Sequence, residues 1–324
     1  MALTAIPGTE HLAIEALLRD DLLQADQALM HVQPILRHLL RNDDSAIFSD
    51  EVIARVRGML ADLGRQLVRA LDDAAGFARP AGLNGVSGLV DALAAQGELL
   101  NHLHMLALEW QLTEKLQARL GVDPVLTPLM QDFVASVDPD IAARGMNLLA
   151  AQARFGQAIR RMQLPLVELP IDLHDLTIEV MRASLADDVV GAAAADEAAV
   201  FLRHARGAHA GRVDLLGHAI QAVGDDRRDA LLLENAGAAL FVTAIAARAG
   251  MSRDMAIMVT VESQMLRLGL LLTSVGLERE RIASVFAALH PECAVPDAVA
   301  DLDAARAAKL LAESPCSHQS LGRG

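Results

Sequence analysis

Glu98 and His102 stand four residues apart and Glu109 follows seven later, a spacing that places all three on one side of a helix. A carboxylate beside an imidazole can move a proton or share a metal ion. A di-iron bundle needs paired Glu-x-x-His motifs from two helices, and the chain offers no second copy. The competing reading is an ion pair at or just below the surface.

His102 and His38 are also the histidines that a helical phosphotransfer module would expose. Their contexts, Arg37-His38-Leu39-Leu40-Arg41 and Asn101-His102-Leu103-His104, lack an acid after the histidine and a Lys-Gly beside it. Asp225-Asp226-Arg227-Arg228-Asp229 fits the DDxxD spacing with which isoprenoid synthases hold Mg²⁺ against a diphosphate. That chemistry also needs aromatic walls, basic residues and a second acidic motif, and none is nearby. After Gly224 these acids are better placed to meet the positive end of a helix. Gly82, Gly85 and Gly88 open a helix with no preceding strand and no phosphate-binding Lys, so they read as a turn. Cys293 and Cys316 lack CxxC spacing, which fits a reducing compartment and argues against a thiolate metal site. No G-x-S-x-G or H-E-x-x-H is present. The sequence therefore assigns no catalytic, cofactor-binding or metal-ligating residue, and no bound metal or cofactor is expected.

The elements that would position these side chains are helices. Hydrophobic residues make up 53% of the chain but aromatic ones only 2%, and Tyr is absent, so the core must be aliphatic. Leu, Ala and Met, which dominate it, are good helix formers. The apolar periodicity is near 3.6 throughout and no strand-length alternation is sustained, giving an all-α multi-helix bundle or irregular array of about 10–13 helices. A net charge of −14, with Lys only at Lys115 and Lys309, repels phosphate backbones and anionic lipid, so neither nucleic acid nor membrane is an expected partner. No bilayer span and no export signal are read, and a bacterial cytoplasmic location is expected.

Along the chain, an N-terminal helix runs from Thr9 until Pro34 kinks or ends it, and Ser49 caps a second that reaches Gly76. A long helix is expected from Ser87 to Leu120. Asp123-Pro124 and Asp138-Pro139 each place a capping carboxylate before a proline suited to the first turn, the second helix running to about Met162. Leu164-Pro165-Leu166-Val167-Glu168-Leu169-Pro170 is the best interior linker, dividing an N-terminal half, 1–163, from a C-terminal half, 171–312. Further helices are expected near 171–185, 189–206, 209–223, 226–249, 252–275, 278–289 and 297–312, followed by a disordered, dispensable tail, 313–324.

Aligning Arg119-Leu120-Gly121-Val122-Asp123 with Arg248-Ala249-Gly250-Met251-Ser252 brings two helix, Gly stop, cap, helix blocks into register, which is compatible with two related halves. Asp138-Pro139-Asp140-Ile141-Ala142-Ala143-Arg144 resembles the opening of the second helix of a HEAT-type repeat, over about 123–164 only. The resemblance implies stacked helix pairs, but no 40-residue period continues it. The function expected is a non-enzymatic interaction or regulatory module that binds a protein partner or itself. Its basis is the C-terminal helices, apolar almost all round, which need covering on several sides. The alternative is a helical enzyme or phosphotransfer protein using Glu98, His102 and Glu109.

Overall fold

The computed structural model describes residues 7–41, 50–76, 85–207, 210–223, 228–300 and 302–314. Among them every regular element is a helix and there is no strand. In order these are α1 (Pro7–Arg41), α2 (Asp50–Ala75), α3 (Gly85–Ala94), α4 (Gly97–Leu120), α5 (Pro128–Val134), α6 (Pro139–Arg160), α7 (Ile171–Ala183), α8 (Val189–Arg206), α9 (Arg212–Val223), α10 (Leu233–Ala249), α11 (Arg253–Met258), α12 (Met265–Ser274), α13 (Arg279–Leu289), α14 (Asp297–Ala300) and α15 (Ala304–Glu313). Short 3₁₀ turns occupy Leu166–Glu168, Arg228–Leu231 and Glu262–Gln264.

Several boundaries depart from the sequence expectation for local reasons. The helix expected from Ser87 to Leu120 is two helices. The chain closes α3 where Ala95 N–H donates to Asp91 O at 3.1 Å and Gln96 N–H to Leu93 O at 3.0 Å, and α4 restarts at Gly97. Asp123 does not open a helix. Its Oδ1 accepts from Val125 and Leu126 N–H in a turn, and α5 begins instead at Pro128, with Thr127 Oγ1 accepting from Met130 N–H. Asp138 does cap α6, accepting from Asp140 and Ile141 N–H as an Asp-Pro start requires. Pro34 lies inside α1 and does not end it. The helix expected over 252–275 breaks at Val259–Val261, where Thr260 Oγ1 donates to Ile257 O and the His290 ring hydrogen-bonds Thr260 O. The Ser49 cap, His38's side chain, Asp225, Asp226 and Cys316 lie outside what is described.

The chain forms two compact units, each built from separated segments: 1–32, 112–131 and 220–324 in the first, 33–111 and 132–219 in the second. In the first unit α12 is central, packed against α10, α13, α14 and α15, and every residue from Arg267 to Thr273 is buried. Gly269 lets α14 lie close, since a Cβ there would meet Val299 at 3.2 Å. From Ala236 to Ala246, α10 is buried apart from the half-buried Ala239. The C-terminal helices expected to need a partner are thus covered by their own unit, Met258 and Phe241 included. Breaking the long apolar run into α11, a 3₁₀ turn and α12 is what lets other helices reach it from several sides.

The core of the second unit is laid down by α2, whose Val56, Met59, Leu63, Leu67 and Leu71 form one stripe, against Leu103 and Trp110 of α4, Phe155 and Ile159 of α6, and Ile178 and Met181 of α7. Residues 164–170 lie within this unit and are tied to α2. Gln66 donates to Leu164 O and accepts from Leu166 N–H, while Asp62 accepts from Leu164 N–H.

Candidate functional site

The second unit carries both of the features with functional bearing. One is buried. Glu109 is fully excluded from solvent on α4 and meets Arg212 at the start of α9 through two hydrogen bonds, Nη1 to Oε1 at 2.8 Å and Nη2 to Oε2 at 2.7 Å. Arg212 Nη1 also reaches Gln152 Oε1 at 3.0 Å, and its guanidinium lies 3.8 Å from the centroid of the Phe155 ring. Trp110 stacks edge-on against Phe155 with centroids 6.0 Å apart. This is a planar fork seated on a carboxylate and a ring, a use for which Arg is suited and Lys is not.

The three side chains singled out by spacing lie in different surroundings. Glu98 is exposed, His102 is buried and Glu109 is committed to Arg212. Helical spacing put them on one side of α4, but α4 is buried over most of its circumference, so a shared side does not make a shared cleft. His104 on the same helix is buried, and burial pushes its pKa down to about 4. His174, on α7, is also held below the ordinary imidazole range by burial, reinforced by Arg206. Among the described residues no group of three or more His, Cys, Asp or Glu side chains is placed to hold a metal ion.

The second feature is at the surface, on α8, and spacing arguments missed it. Toward α2 and the core this helix turns Gly191, Ala194, Ala195, Ala198, Ala199 and Leu202, nearly all small. Its large apolar side chains other than Leu202 point the other way: Val189 is 87% exposed, Val200 69%, Phe201 60% and Val190 51%. The arrangement inverts the usual order, in which the bulkiest apolar groups are inside. Small inward residues let α2 and α8 pack together, and Gly191 makes room for Leu185 of the turn before α8, which a Cβ there would meet at 3.0 Å. The seam with α7 is closed by an ionic rail, Arg182 to Asp196 at 2.6 Å and Arg203 to Asp175 at 3.1 Å and Glu179 at 2.9 Å. These bonds hold both guanidinium pKa values above their ordinary range and fix the outward face of α8. The signal in the sequence was the run Val189-Val190-Gly191-Ala192-Ala193-Ala194-Ala195, where size rather than polarity marks the two faces.

In the first unit a groove of about 250 Å³ runs between Leu231, Leu232, Val275 and Leu277, with Arg248, Arg281, Asp229 and Glu278 at its rim. It is smaller than an ordinary ligand pocket, and its charges are mixed. No helix among the described residues is long and apolar enough to cross a membrane. No family model, curated protein or solved structure matches the chain.

Proposed function

We propose that the protein is a non-enzymatic helical interaction module, whose working surface is the outward face of α8 and whose partner is a protein. The observation that carries this reading is the strip of Val189, Val190, Val200 and Phe201 on a helix whose inward face is made of small residues. Neighbouring large apolar groups left in water on a soluble protein mark a place where another surface docks. About three turns of α8 separate the Val pair from the Val-Phe pair, a spacing suited to a partner helix lying alongside. The commitment of Glu109 to Arg212 and the exposure of Glu98 favour this reading over acid-base or phosphotransfer chemistry at those residues.

A photoreactive side chain at position 193, in the middle of the strip, tests the reading in cells that make the protein. The expected result is protein adducts on irradiation that disappear when Val200→Lys and Phe201→Lys are combined. Because both positions are exposed, that double variant should melt within a degree or two of the parent. Irradiation that yields no adducts from the folded parent overturns the proposal.

A further inference from the structure

We draw no further inference here: the strongest candidate, the outward apolar strip of α8 formed by Val189, Val190, Val200 and Phe201, belongs to the surface already described, and nothing in the structure shows what covers it.

Discussion

Arg212 closes on Glu109 as a two-pronged pair inside the second unit, with 3% of the Arg side chain and none of the Glu side chain exposed. The pair joins α4 to the start of α9 and, through Gln152, to α6. Removing one partner leaves the other charge buried without compensation, which costs far more than the net worth of the pair. Glu109→Ala or Arg212→Ala should each destabilise the protein by about 3–5 kcal/mol. Glu109→Gln, which keeps an acceptor for the guanidinium, should cost less than Glu109→Ala. Denaturant midpoints at constant slope are the measurement. Equal and small losses from all three would show that the pair bears little load.

Acid should destabilise the fold well above the carboxylate range. His104 has its pKa lowered from 6.5 to about 4 by burial, while an unfolded imidazole keeps the ordinary value. Between those two values the unfolded chain binds a proton that the folded chain refuses, so stability is full above pH 6.5 and falls as the pH drops toward 4. For His104 alone the loss is about 3 kcal/mol. His174 and His290, both lowered chiefly by burial, act in the same direction. Urea denaturation from pH 7 downward checks this, and His104→Leu should flatten the slope.

The end of α15 is fastened from inside. Ser314 Oγ donates to Asp26 Oδ2 at 2.6 Å and accepts from Arg267 Nη2 at 3.0 Å, and Arg267 donates in turn to Asp26 Oδ1. Ser314 is 4% exposed, although the sequence placed it in the dispensable tail. Truncation after Ser314 should leave the melting temperature nearly unchanged. Ser314→Ala should lower stability by about 1–2 kcal/mol, by leaving Asp26 one donor short. Calorimetry on the two variants separates the cases.

Gly58 and Met162 touch where the chain leaves α6. Met162 is the one described non-glycine residue with positive φ, at 55°, and a Cβ at position 58 would come 2.4 Å from the Met162 Cβ and 2.9 Å from its carbonyl oxygen. Since backbone is part of the obstacle, Gly58→Ala should destabilise by about 1–3 kcal/mol. Met162→Gly should partly relieve the double variant by removing that Cβ and the cost of the left-handed backbone. Thermal melting of the single and double variants measures the coupling.

The all-α architecture was legible in the sequence because helix formation is a local matter of propensity and period. The capping of α6 by Asp138 and the limits of α8 at Val189 and Arg206 follow from a few neighbouring residues. Breaks depended on more distant groups. The gap at Val259–Val261 is fastened by the ring of His290, thirty residues away, and no period in the local sequence carries that contact. The same limit applies to the site. Spacing alone grouped Glu98, His102 and Glu109, but whether a helical side faces solvent, a cleft or the core depends on which other helices surround it. Glu109 found its partner in Arg212, 103 residues later in the chain. The outward strip on α8 was hidden for the opposite reason. Both faces of that helix are apolar, so hydrophobicity could not say which is inside. Only tertiary packing decided it, by placing α2 against the small residues and leaving Val189, Val190, Val200 and Phe201 in water.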